Sequence, residues 1–132
     1  MYEFFKNVAE ENNWHFEYSR PDYQNLDELE LGKIGLYVDP IITDSKFSSA
    51  GNESQTFSGR FMILRNSDVD ESYSDKHNDY IKPLIQNELQ LLKDEFNCND
   101  YQINSFKTLE VINLFDQNLD GVLINYNISL ID

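Results

Sequence analysis

Cysteine, glycine and basic side chains are all scarce in this 132-residue sequence. The single cysteine, Cys98, can form neither an intrachain disulfide nor a cysteine-rich metal site. The five glycines make no G-x-G-x-x-G loop and no Walker loop, so nucleotide binding has no support. No apolar run reaches the roughly 18 residues that span a bilayer, and the first residues lack a signal-peptide pattern. We therefore expect a protein that is made in a reducing cytoplasm and needs no cofactor.

The shortage of basic residues sets the charge of the chain. Ten Lys and Arg face 24 Asp and Glu, which gives a formal net charge of −14. Such a chain repels nucleic-acid phosphates and anionic membranes, and it has no Lys/Arg cluster to bind them. We expect neither sequence-specific nucleic-acid binding nor membrane binding. An acidic surface is compatible with solubility, with a channel wall that DNA slides past, and with mimicry of DNA.

Length and apolar content predict one folded domain over residues 1–132. The chain is 40% hydrophobic and 14% aromatic, which favours a packed core over disorder. Helical spacing predicts helices over residues 2–13 and 79–97, with Asn78 or Asp79 as the cap of the second and Pro83 in its first turn.

Alternating apolar residues predict the strands, at residues 14–18, 33–39, 56–65, 101–115 and 122–130. The polar stretches 22–30 and 66–79 are expected to be surface connections. The fold class is therefore α+β, with a largely antiparallel or mixed sheet of about five or six strands packed by two main helices.

Residues 41–55 differ from the rest of the chain because they are rich in Ser and small residues. They predict a flexible loop or arm, extending to about residue 56, with Phe47 as an apolar anchor in its middle. We expect Phe47, Ile41, Ile42 and Phe57 to contact a neighbouring subunit, and the arm to become ordered only on assembly.

The sequence DQNLDG at residues 116–121 matches the start of a calcium-binding loop, with Asp116, Asn118 and Asp120 as ligands. The twelfth position of that loop should be Glu and is Asn127, so half the motif is missing. Asp120-Gly121 between two apolar runs instead predicts a tight turn of a hairpin. The sequence favours the turn and leaves a bound cation open.

No other group forms a recognisable catalytic or metal site. His15 and His77 have no second His or Cys at ligand spacing, Cys98 lies in a polar turn without a nucleophile motif, and the carboxylate pairs lie in hydrophilic runs that cannot raise a pKa by burial. We predict no catalytic residues, no metal ligands and no enzyme activity.

The segment NLFDQNLDGV at residues 113–122, preceded by one long helix and by a strand ending at Asp39-Pro40, resembles small virion proteins of tailed bacteriophages. It is similar to the tail-terminator and neck-ring proteins of crAss-like phages. The resemblance implies a structural protein of the virion neck or tail that forms a six- or twelve-fold homo-oligomeric ring. Such a ring contacts other portal, neck or tail proteins and surrounds the DNA exit channel, where acids of 22–30 or 66–79 would line the wall.

A different class of function stays open. An acidic inhibitor that imitates DNA and binds a basic host protein should present two rows of acids at phosphate-like spacing. The predicted helix at 79–97 mixes Lys82 and Lys93 with Glu88 and Asp94, which disfavours mimicry.

Overall fold

The structure, a computed structural model, describes residues 1–20, 29–30, 32–67, 70–114 and 118–131. The first helix, α1, spans Tyr2–Glu11 and the second, α2, runs over residues 73–98. Six strands complete the fold: β1 His15–Tyr18, β2 Ile34–Val38, β3 Ile42–Phe47, β4 Glu53–Asn66, β5 Tyr101–Leu114 and β6 Leu119–Leu130.

The strands form one mixed sheet in the order β1-β2-β4-β6-β5, and β3 pairs with the first half of β4 on the same side as β2. Only β1 and β2 are parallel, and every other pairing is antiparallel. The α+β class with six strands and two helices is therefore confirmed. β4 is central, as expected of a strand whose second half is apolar on both sides.

The main core lies between one face of the sheet and the two helices. Alternate residues of β4 and β6, such as Phe61 and Ile124, point to this face and are fully buried. Phe5, Val8 and Ala9 form the buried stripe of α1 that the helical spacing predicted. A smaller apolar cluster lies on the other face, built from Leu29, Tyr37, Met62, Leu64 and Leu119.

α2 begins six residues earlier than the spacing predicted. Its cap is Ser72, whose Oγ accepts a hydrogen bond from the Asp75 backbone N–H at 3.2 Å, so the predicted cap at Asn78 or Asp79 is wrong. Pro83 lies inside the helix, between π-helical turns at His77–Ile81 and Ile85–Leu89. Proline has no N–H to donate, and wider turns on both sides are a known accommodation of a broken hydrogen-bond ladder.

The predicted surface connections are described only in part. Residues 22–28 lie outside the described residues, and Leu29 is buried in the smaller cluster, so the expectation of an exposed stretch is wrong at that residue. Residues 73–79, expected to belong to the second connection, are helical because Ser72 caps them. Neither described helix is long and apolar enough to cross a membrane.

Residues 41–55, predicted as a flexible loop or arm, contain β3 and the start of β4, so the prediction of a loop is wrong. Ile42–Phe47 and the start of β4 pair antiparallel, with Ile42 opposite Ser58 and Phe47 opposite Glu53. The sequence TDSK shows no apolar alternation, and the strand exists because the extended edge of β4 offers it backbone partners. The segment is thus already paired within a single chain.

The predicted hairpin exists, because β5 and β6 pair antiparallel, but its turn is not at Asp120-Gly121, since both residues lie inside β6 opposite Arg65 and Leu64. Left-handed backbone occurs on either side of this connection, at Asn113 with φ 55° and at Asn118 with φ 54°. Gly121 is required for a different reason: a Cβ there would lie 2.0 Å from the carbonyl oxygen of Ile63. The glycine permits close backbone approach within the sheet.

Candidate assembly surfaces and the buried polar cluster

β3 and the first half of β4 form a hairpin on one edge of the sheet. The hairpin closes through a Ser48 N–H bond to the Asn52 carbonyl, 2.8 Å long, and through Gly51, whose φ is +86°. At its base, the Ile41 N–H donates to the Tyr18 hydroxyl at 3.1 Å. All six residues of β3 are exposed, so the hairpin is firmly attached at its base and solvated along its outer strand.

The four predicted interface residues separate into two pairs. Ile42 and Phe47 are 61% and 69% exposed, whereas Ile41 and Phe57 pack against the main core. The ring of Phe57 lies 6.2 Å from that of Tyr101, so it stabilises the subunit itself. Only Ile42 and Phe47 are free to meet another molecule.

Ile42 and Phe47 point to opposite faces of the hairpin. Thr43 is opposite Phe57, whose side chain contacts the helix-covered core, so Thr43 and Phe47 face the helix side. Ile42, one residue earlier than Thr43, faces away from the helices. A partner that buries both side chains must therefore add to the edge of the strand rather than cover one face.

The opposite edge of the sheet is β5, a surface that the sequence analysis did not single out. It is 14 residues long, and Leu109 in its middle is 62% exposed. Irregular pairing at Ile103/Ser105 and Val111/Leu114 bounds a regular stretch, residues 105–111. Among the described residues, no strand pairs with the outer edge of either β3 or β5. The sequence carried no signal for this edge, because the exposure of Leu109 depends on which strand ends the sheet.

Both edges are close to neutral in a chain of charge −14. The hairpin at residues 41–58 carries Asp44 and Glu53 against Lys46, and β5 carries one Lys and one Glu. Arg60 and Arg65 follow the hairpin in β4, and Arg60 pairs with Asp39 at 2.7 Å. The negative charge is concentrated in the helices and the connections, so the two sheet edges are the regions where copies of the chain repel each other least.

A buried polar cluster joins α2 to the sheet. The Lys76 ammonium donates to Ser67 Oγ at 2.8 Å, to Asn113 Oδ1 at 3.0 Å and to Asp120 Oδ2 at 2.9 Å. The other oxygen of Asp120 accepts from the Asn113 backbone N–H at 2.8 Å. Lys76 and Asp120 are both fully buried. Every proton of the ammonium has an acceptor, which is the arrangement that makes a buried ion pair tolerable.

This cluster bears on the predicted cation site. Both carboxylate oxygens of Asp120 are held by Lys76 and Asn113, and the carbonyl of Asn118 accepts from Ser67. Asp116 lies outside the described residues. Within the described ranges, no group of three or more His, Cys, Asp or Glu is placed to hold a metal ion. Asp120 is thus engaged in binding a lysine, and nothing in its sequence context indicated that partner.

The two histidines lie in different elements, His15 in β1 and His77 in α2. His77 bonds Glu110 of β5 through Nδ1 at 2.5 Å, with both side chains substantially exposed. His15 lies in β1, 3.9 Å from the Glu17 carboxylate. Cys98 is exposed at the end of α2. The structure brings no two of these three residues together as a nucleophile and base.

Two shallow clefts border α1. One, about 250 Å³, lies between α1 and the end of α2 and is lined by Phe4, Glu11, Glu95 and Tyr101 among others. The other, about 450 Å³, includes Trp14, Lys33 and Glu88. Burial raises the pKa of Glu88, opposed by its backbone hydrogen bond and by Arg65. A single carboxyl of this kind does not make a catalytic pair.

Comparison with known proteins gives no further assignment: no protein-family model matches the chain, and no curated protein matches its sequence significantly. The geometry of the described residues therefore carries the functional argument alone.

Proposed function

We propose that this chain is a structural subunit that assembles with copies of itself through the two edges of its sheet. The supporting observation is the pair of exposed, nearly neutral edges, the β3 hairpin on one side and β5 on the other. Unpaired strand edges are templates for pairing with another chain. Exposed Ile42, Phe47 and Leu109 add apolar area to them.

The two edges differ from each other, and this difference favours a ring. A contact between unlike surfaces is heterologous, so each copy has one of each surface to offer and the contacts continue from copy to copy. When the rotation between copies closes, the product is a ring. Two identical edges would instead favour a simple dimer.

We further propose that the ring belongs to the neck or tail of a tailed bacteriophage, as a tail-terminator or connector with six or twelve copies. The resemblance at residues 113–122 and the α+β fold support this identification. In that role the ring binds neighbouring portal or tail proteins and DNA passes through its lumen. The acidic connections keep DNA from adhering wherever they face the channel.

Mass measurement in solution tests self-assembly. Native mass spectrometry and sedimentation velocity of the full chain should give one closed species with a defined copy number. A variant carrying Phe47→Ser and Ile42→Ser, both exposed, serves as the matched control and should shift the population toward monomer without loss of folding. A wild-type chain that stays monomeric at its highest soluble concentration would contradict the proposal.

The phage role needs its own experiment. A mass-spectrometric inventory of purified virions should contain this chain, and electron microscopy should place its ring at the neck or tail. A monomer that instead binds a basic host protein tightly, with the interaction lost at high salt, would favour the DNA-mimic alternative.

A further inference from the structure

We propose that the ring forms when β3 of one copy pairs antiparallel with β5 of the next copy, with Thr43 opposite Thr108. This inference rests on the proposed self-assembly and specifies the residues that carry it. The occupant of each free edge is thus a second copy of this chain.

Strand direction is the first argument. Three antiparallel pairings separate β3 from β5 within one sheet, β3 with β4, β4 with β6 and β6 with β5. β3 and β5 therefore run in opposite directions at opposite edges. When a second copy is placed beside the first in the same orientation, its β3 meets β5 of the first copy antiparallel, and the helix-covered faces stay on the same side.

The side-chain faces agree with one register. Ile42 and Asp44 point away from the helices, by their pairing with Ser58 and Thr56. Leu109 and Lys107 share that face, by their pairing with Leu123 and Asn125. Directly opposite residues of two strands lie on the same face of a sheet, so these four side chains can form two cross-strand pairs.

Several registers place side chains of β3 and β5 on the same face of the sheet, and the charges and apolar groups of those side chains favour one of them. With Thr43 opposite Thr108, the exposed Ile42 meets the exposed Leu109, and Asp44 meets Lys107. A shift of two residues in one direction sets Lys46 opposite Lys107, which is repulsive. A shift in the other direction sets Asp44 opposite Ser105 and leaves Leu109 beyond the end of β3. Opposite charges directly across a strand pair are favourable and like charges are not.

The lengths of the two edges also match. β3 has six residues, and the regular part of β5 covers residues 105–111 between its two irregularities. At the base of β3, the Tyr18 hydroxyl holds the Ile41 N–H. The proposed pairing therefore begins with Ile42 opposite Leu109 and ends with Lys46 opposite Ser105. The Tyr18 hydrogen bond limits it at the first end, and the irregular pairing of β5 before Ser105 limits it at the other.

Disulfide formation tests this register. Thr43→Cys and Thr108→Cys are made as separate proteins in a Cys98→Ser background and mixed under mild oxidation. We expect a covalent dimer from the mixture and none from either protein alone, because the contact joins unlike edges. A chain that carries both cysteines should give a ladder of multimers. Within one chain these sites are separated by three strand spacings, which is at least about 14 Å, too far for an internal bond.

A charge exchange provides an independent readout. Asp44→Lys alone and Lys107→Asp alone should each weaken self-association about fivefold, the order expected for one exposed ion pair. The double exchange should restore it. Both residues are on exposed strand edges, so folding should be unaffected, which circular dichroism checks.

The outcomes separate the register from the function. If the wild-type chain forms rings but the mixture gives no disulfide and the charge exchange shows no coupling, the inference is overturned and self-assembly stands. If either single-cysteine protein crosslinks with itself, the contact is two-fold symmetric and the head-to-tail arrangement is overturned. If the wild-type chain is monomeric throughout, both proposals fail together.

Discussion

The two halves of β4 show how one strand serves two different purposes. Its second half, between β2 and β6, includes Phe61, Ile63 and Leu64, all fully buried. Its first half, between β3 and β6, is mostly half-buried or exposed. The inner half obtains its apolar contacts within the chain, since helices cover one face and the small cluster around Tyr37 covers the other.

The outer half has fewer of these contacts, with Phe57 packed against the main core, and this difference separates folding from assembly. Changes near the inner half should lower the free energy of unfolding and leave the mode of association intact. Changes at the exposed side chains of the outer hairpin, Ile42 and Phe47, should alter association and leave the free energy of unfolding nearly constant.

The largest effect is expected at the buried ion pair beside the inner half. Lys76→Met leaves the Asp120 carboxylate buried without its cation, which should lower the free energy of unfolding by about 3 to 5 kcal/mol. Urea denaturation followed by fluorescence measures it. The double variant Lys76→Met/Asp120→Leu should recover much of the loss, and a single variant as stable as wild type would show that the pair is unimportant.

A somewhat smaller effect is expected where β6 crosses the inner half of β4. Gly121→Ala brings a Cβ to within 2.0 Å of the Ile63 carbonyl oxygen, so backbone must move. We expect a loss of about 3 kcal/mol, at the upper end for overpacking. Gly32→Ala is the matched control for a position with nothing within 4 Å of the added carbon, although its φ of +80° adds some strain. Thermal denaturation compares the two.

The two aromatic residues of the hairpin should behave oppositely. Phe57→Ala removes a side chain packed on the core and should cost about 2 kcal/mol. Phe47→Ala, at an exposed site, should change stability by less than about 0.5 kcal/mol and should instead weaken self-association. Equal losses of stability from both variants would remove the proposed distinction between folding and assembly surfaces.

The smallest effect on stability is expected at Glu88 of α2, and it depends on pH. Burial raises the pKa of Glu88 above its usual value of 4.5, so the folded state binds the proton more tightly than the unfolded state does. This raised pKa costs stability as pH rises from the unfolded value through the folded one. Glu88→Gln should therefore stabilise the protein slightly at neutral pH and have no effect near pH 4, as denaturation at the two pH values would show. A benefit that grows at low pH would contradict this sign.

The sequence predicted most of the regular elements because their apolar residues alternate or recur at helical spacing. Ile34, Leu36 and Val38 share the buried face of β2 as that pattern requires. β3 was missed because its neighbours supply its hydrogen bonds and its own side chains carry no pattern. The early start of α2 was missed because Pro83 suggested a first turn, and the π-helical turns that accommodate it have no sequence signature.

Of the candidate assembly surfaces, only the exposed apolar residues of the β3 hairpin were predicted from the sequence. Of the four predicted interface residues, Ile42 and Phe47 are exposed, as that role requires, whereas Ile41 and Phe57 pack on the core; the interface itself stays a prediction. Leu109 was not recognised, since exposure of one strand residue depends on which strand ends the sheet. The partnership of Lys76 with Asp120 depends on contact between residues 44 positions apart, and a single sequence does not encode it visibly.

The Lys76 cluster also constrains how this protein can change over generations. The cluster joins one helix to three separate strands or connections. Each of its residues hydrogen-bonds at least one other, and its members are Ser67, Lys76, Asn113 and Asp120. Replacing any one alone leaves a buried polar group without its partner. Substitutions there should be inherited together, so Lys76 and Asp120 should co-vary among descendants of a common ancestor while the exposed positions of β3 drift independently.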